Sequence, residues 1–177
     1  MTLIDKLQPF LTDMDNCLEN GQYNAALFIA LALPDICSST DMAHFGYKVG
    51  DRYKKWIDEY FIKQNGYDGK IAMTPTDVYL LRCAYMHSGL DKLKRKAAAK
   101  VIAKFSFVAS PSTTIFMHRN LIEKNGVTTM QLDISAYCNE IKNSVALFVR
   151  DYNGDETVNN ASINILHVQN VDQGFII

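Results

Sequence analysis

Leu3, Ile4, Leu7, Phe10, Leu11, Met14, Cys17 and Leu18 recur at three- and four-residue intervals, the period of a helix buried on one side. The pattern predicts a first amphipathic helix ending near Asn20-Gly21, with Pro9 a point of kinking or restart. Residues 23–37 are apolar on nearly every side, which predicts a central helix buried on several faces, with Pro34 close to its end. Ser38-Ser39-Thr40-Asp41 sets a carboxylate three residues after a hydroxyl, the order of a capping box, and predicts a third helix running towards Phe61. Along it Tyr53, Trp56, Ile57, Tyr60 and Phe61 form an aromatic stripe, while Lys54, Lys55, Asp58 and Glu59 face away. At helical spacing such a stripe is core packing rather than a stacking platform for bases. Residues 63–70, with Asn65-Gly66 and Asp68-Gly69, read as a loop. Thr74-Pro75-Thr76-Asp77 combines a hydroxyl cap, a proline at the first helical position and a carboxylate three residues on, and predicts a helix that Gly89 closes.

From residue 101 the period changes. Val101, Ala103, Phe105 and Phe107 alternate with Lys104 and Ser106, Ser110-Pro111 makes a turn, and residues 113–123 continue with β-branched and apolar side chains. Asn125-Gly126 is the favoured two-residue hairpin turn, returning the chain into residues 127–132. These signals predict a three-stranded antiparallel meander. Asp133 then caps a helix lined by Ile134, Tyr137, Cys138, Ile141, Val145, Phe148, Val149 and Tyr152, with Gly154 past its end, and residues 162–169 read as a closing strand. The expected class is α+β: an N-terminal bundle of four or five helices over residues 1–96, then a meander, a helix and a strand over residues 97–177, packed on the bundle as one compact unit.

Length and composition fit that picture without staples. At 177 residues, 48% hydrophobic and 21% charged, the chain has the make-up of a soluble globular domain large enough to hold its own core. Eighteen basic and nineteen acidic residues leave a formal net charge of -1, so any nucleic-acid role rests on a local patch rather than a global field. Cys17, Cys37, Cys83 and Cys138 show no CxxC spacing and suit free thiols in a reducing cytoplasm. The longest apolar run, residues 25–33, is too short to span a membrane, and the N-terminus lacks the order of a signal peptide. A cytoplasmic location is the expectation.

Phosphate-loop, dinucleotide, HExxH and GxSxG signatures are absent. The stretch with chemical content is residues 80–89, where Arg82, Cys83 and His87 share one otherwise apolar helical segment. Cys83 and His87 lie four residues apart on one face, as a thiol and its base would, but no orienting carboxylate or asparagine stands near, and Cys83 reads as packing. Asp35, Cys37, His44, Cys83 and His87 show no recognised metal-ligand spacing, so no cofactor is expected. Five residues turn a straight helix about 140° past whole turns, so Arg82 and His87 point apart, one towards a cleft and the other towards a second helix or subunit. Without chemistry, Arg82 pairs with a carboxylate such as Asp35 or Asp77, and His87 makes a hydrogen bond at a helix end. His44, His118 and His167 read as structural or surface residues.

The Arg-x4-His pattern, with Cys83, Ala84, Tyr85 and Met86 between Arg82 and His87, resembles the motif of the HEPN superfamily, compact four- or five-helix bundles that carry it on a late helix. The likeness extends over roughly residues 1–96. It implies metal-independent RNA cleavage at a homodimer interface, with His87 moving a proton in attack by the ribose 2′-hydroxyl and Arg82 stabilising charge on the phosphate. Lys92, Lys94, Arg95 and Lys96, followed by Lys100 and Lys104, adjoin the motif and would contact RNA phosphates. The alternative is a non-catalytic HEPN-like module in which the same residues stabilise an interface and bind a protein or small ligand.

Overall fold

A computed structural model of the chain describes residues 2–67, 72–86, 92–110, 117–165 and 168. Helix α1 (Leu3–Glu19) starts on the Thr2 side chain, which accepts from the Asp5 backbone N–H while Asp5 accepts from that of Thr2. It runs through Pro9 unbroken and buries Leu3, Leu7, Leu11 and Met14. Helix α2 (Tyr23–Ser38) is the central element that its all-round hydrophobicity predicts, burying Ala26, Leu27, Ala30, Leu31, Leu33, Pro34 and Cys37. It packs against α1 and against several helices later in the chain.

The predicted third helix is two helices. Asp41 caps only a single turn, α3 (Met42–Phe45), because Gly46 follows with φ 103°, outside helical space. The chain restarts as α4 (Val49–Trp56), which passes through a π-helical turn (Ile57–Ile62) into α5 (Lys63–Asn65). Ser38 ends α2 instead of opening α3. The aromatic stripe is core: Tyr53, Trp56, Ile57 and Phe61 are fully buried, and Phe61 stacks on Tyr67 at 5.2 Å.

Helix α6 (Pro75–Met86) begins where its signal predicts: the Thr74 hydroxyl accepts from Asp77 N–H at 3.1 Å, and Asp77 Oδ2 accepts from Thr74 N–H at 2.9 Å. Helix α7 (Lys92–Lys104) then carries the basic run and overrides the alternation assigned to strand at Val101 and Ala103. Its alanine- and lysine-rich middle favours continued helix, and Val101 in its last turn is buried. The helix also runs through residues 96 and 97.

The sheet comprises β1 (Phe105–Val108), β2 (Asn120–Lys124) and β3 (Val127–Asp133) in the order β1-β3-β2. The hairpin β2–β3 turns at Asn125-Gly126, both with positive φ, as predicted. The meander is not formed, however: β1 pairs parallel with β3, Phe105 opposite Met130 and Phe107 opposite Leu132. Burial decides it. Phe105, Met130 and Leu132 are buried, whereas Asn120, Leu121, Ile122 and Glu123 of β2 are exposed, so β3 is central and β2 an edge.

Asp133 caps α8 (Ile134–Asp151) by accepting from Ala136 N–H at 2.9 Å. Tyr137, Cys138, Ile141, Val145 and Phe148 of α8 are fully buried, in one hydrophobic cluster with α1, α2 and α4. The predicted closing strand is not found among the described residues of 162–169. Asp155 instead caps a short helix, α9 (Glu156–Ser162), and Asn164 and Ile165 continue in turns. The molecule is thus a mixed α+β protein with helices on both sides of a small sheet in sequence. Among the described residues no helix is long and apolar enough to cross a membrane.

Candidate functional site

Arg82 projects from the middle of α6 towards α2. Its Nη2 donates to Asp35 Oδ2 at 2.7 Å, and Arg52 Nη2 of α4 donates to Asp35 Oδ1 at 3.0 Å. One carboxylate therefore bridges two guanidiniums from two other helices, and the three charges sum to +1. Arg82, Arg52 and Asp35 keep 12%, 14% and 21% of their side-chain surface, so water screens the group only weakly. The Arg82 guanidinium also lies 5.6 Å from the centre of the Tyr53 ring, whose hydroxyl donates to Leu31 O at 3.0 Å. Burial raises the Tyr53 hydroxyl well above its ordinary value, keeping it neutral and a donor. Among the described residues the Nε atoms of Arg52 and Arg82 are buried without a hydrogen-bond partner.

Asp77 is the other carboxylate that the sequence offers to Arg82. It is occupied elsewhere, capping α6 and accepting from Lys104 Nζ at 3.0 Å. Cys83 is buried beside Tyr79, whose hydroxyl is raised by burial and by a hydrogen bond to the thiol. His87 lies outside the described residues, as do Gly89 and His167, so Arg82 is the member of the pair whose surroundings are seen. Lys92, Lys94 and Arg95 fall on the first turn of α7, and Lys96 and Lys100 are exposed on it. His44 pairs with Glu59 at 2.9 Å at the surface.

Arg52 was missed by the sequence reading, although it stands one helical turn before the buried Trp56 and so on the inward side of its helix. It lines a cavity of about 580 Å³ that α1, α2, α3 and α9 complete. A second cavity, of about 340 Å³, lies between α2, α6, α7 and β1 and is walled by Leu31, Leu81, Ile102 and Phe105.

A second polar cluster joins the sheet to the helices. Glu140 of α8 accepts from the Tyr67 hydroxyl at 2.5 Å, meets His118 Nε2 at 3.2 Å and accepts a short hydrogen bond from Arg119. Arg119 lies over the Tyr67 ring at 4.2 Å and holds φ 64°, a backbone cost that the cluster and a 2.7 Å bond from its N–H to Gln131 O offset. Burial acts to raise the Glu140 carboxyl, but hydrogen bonds from His118 and Tyr67 and the Arg119 charge outweigh it and hold the carboxyl below its ordinary value. Among the described residues no three metal-ligating side chains converge. No protein-family model, curated protein or solved structure matches the chain.

Proposed function

We propose that the chain is a non-catalytic binding module in which the arginine of the Arg82/His87 motif is an architectural residue. The observation that supports this is the commitment of Arg82 to Asp35 at 2.7 Å, with Arg52 on the other carboxylate oxygen and an aromatic ring alongside. An arginine that stabilises a phosphate transition state needs its donors directed at the substrate. Here one of its two terminal nitrogens is given to a carboxylate that itself repels an approaching phosphate. Incubating the protein with mixed RNA in EDTA tests the reading. Intact RNA is the expected result; cleavage abolished by both Arg82→Ala and His87→Ala would sink it.

The second reading is the metal-independent endoribonuclease implied by the HEPN resemblance, acting as a homodimer. The observation favouring it is the surface around the motif helix. Tyr85 on α6, Phe28 on α2 and Ile102 on α7 are 41%, 48% and 55% exposed, an apolar patch that a second copy's motif helix would cover. Lys96 and Lys100 would then meet the RNA backbone. Light scattering tests this reading: a monomer leaves no composite site.

A further inference from the structure

The geometry points to the 580 Å³ cavity beside Arg52 as a binding site for an amphipathic carboxylate, an apolar chain or ring bearing one carboxylate head. The inference rests on the binding-module reading and names its ligand class.

The walls supply the apolar half of the argument. Phe10 of α1, Ile36 of α2, Met42 of α3 and Ile165 after α9 come from four separate parts of the chain and leave a recess instead of filling it. The volume lies within the roughly 300–1,000 Å³ typical of small-molecule sites, whose linings are mostly apolar with a few polar groups that orient the ligand. Met42 is 43% exposed, so the recess has an apolar side chain at its surface, and methionine adapts its shape to what it contacts.

Charge supplies the other half. Among the described residues Arg52 is the one charged side chain in the lining, and it belongs to the group in which two guanidiniums share the single carboxylate of Asp35. Each oxygen of Asp35 thus already accepts from one guanidinium, and the three charges leave a net positive charge within that group. Arg52 gives Asp35 one hydrogen bond from a fork with five donor hydrogens. A second carboxylate, delivered from the cavity, would turn two guanidiniums on one carboxylate into two on two. Guanidinium binds carboxylate in a planar, two-point fashion that a neutral head cannot reproduce. The Ser39 hydroxyl donates to Ile36 O at 2.7 Å, which fixes that polar atom in the lining and orients its oxygen as an acceptor, not as a competing donor for the head.

The alternative cavity, between α2, α6, α7 and β1, has no charged residue in its lining among the described residues and would take a neutral apolar molecule. A carboxylate buried there would lose its hydration without a partner. Head-group selectivity therefore tells the two cavities apart.

Titration calorimetry and amide chemical-shift mapping with decanoate test the site on the whole 177-residue chain. Decanoate is expected to bind saturably, with shifts at Ile36, Arg52 and Ile165. Decanol, with the same chain and no charge, and acetate, with the same head and no chain, should each bind about tenfold more weakly or worse. Arg52→Gln should weaken decanoate by a similar factor. Because that substitution also touches the Asp35 group, Ala161→Phe provides a second arm: it fills the recess from α9, leaves both arginines in place, and should block decanoate. No saturable binding, equal affinity for decanol, undiminished binding by either variant, or shifts confined to the Leu81 and Ile102 cavity would each overturn the inference. The outcomes remain distinct from the parent reading. A protein that leaves RNA intact and ignores decanoate loses this ligand alone, whereas Arg82- and His87-dependent RNA cleavage removes the binding-module reading whatever decanoate does.

Discussion

Arg82 Nη2 sits 2.7 Å from Asp35 Oδ2, joining the middle of α6 to the last turn of α2 across 47 residues of sequence. The same carboxylate holds Arg52 of α4. The pairing ties three helices to one another, and it accounts for an arginine in an otherwise apolar helical segment without invoking a reaction.

Removing the shared carboxylate should cost more than removing either cation. Asp35→Ala leaves two mostly buried guanidiniums unpaired and is expected to destabilise by about 2–4 kcal/mol, whereas Arg52→Ala or Arg82→Ala leaves Asp35 with its other partner and costs about 1–2 kcal/mol. Urea unfolding followed by far-ultraviolet circular dichroism measures all three. Equal losses for the three variants would show that the bridging geometry carries no special weight.

Glu140 should set part of the acid limit of stability. Its carboxyl in the folded protein titrates below the ordinary value, against the pull of burial, because His118, Tyr67 and Arg119 stabilise the charged form. A depressed folded value means that the stabilisation is present above the unfolded value, about 4.3, and is lost as pH falls through the folded value. Between about pH 5 and pH 3 the urea midpoint of the Glu140→Gln variant should fall less steeply than that of the native sequence. Parallel curves would rule Glu140 out as the source.

The thiols should react unequally. Cys17 is partly exposed, whereas Cys37, Cys83 and Cys138 are buried. Burial pushes the Cys138 thiol up to about 12 and that of Cys37 higher still, leaving little thiolate to react. An aromatic disulfide reagent should label Cys17 quickly and the others only on unfolding. Fast labelling of Cys83 in the folded protein would revive it as a nucleophile.

What the sequence disclosed follows the range of the forces involved. Thr74 with Asp77, Asp133 with Ala136, and the Asn125-Gly126 turn act over three residues or fewer, so local chemistry announced α6, α8 and the hairpin. The amphipathic stripe from Leu3 to Met14 and the aromatic stripe from Tyr53 to Phe61 are likewise local patterns with a single burial solution. Strand order is not local. Phe105 and Met130 are neighbours because both bury on the same side, while the exposed Asn120 and Glu123 push β2 to the edge, and no turn signal encodes that choice. Gly46 broke the predicted third helix with one positive φ that its neighbours gave no reason to expect. At the site, Arg82 was legible as an outlier and Asp35 as one of two carboxylates for it. Arg52 was hidden because its significance depends on α2 and α6 converging on it.

The most direct test of the account is a double-mutant cycle on Asp35 and Arg82, with Asp35→Asn, Arg82→Met and the pair combined, and Asp77→Asn with Arg82→Met as the control cycle. Asp35 and Arg82 should couple by about 1–3 kcal/mol in unfolding free energy, and Asp77 and Arg82 should be additive to within about 0.5 kcal/mol. Additive losses for Asp35 and Arg82 would contradict the claim that this arginine is held in place for structure.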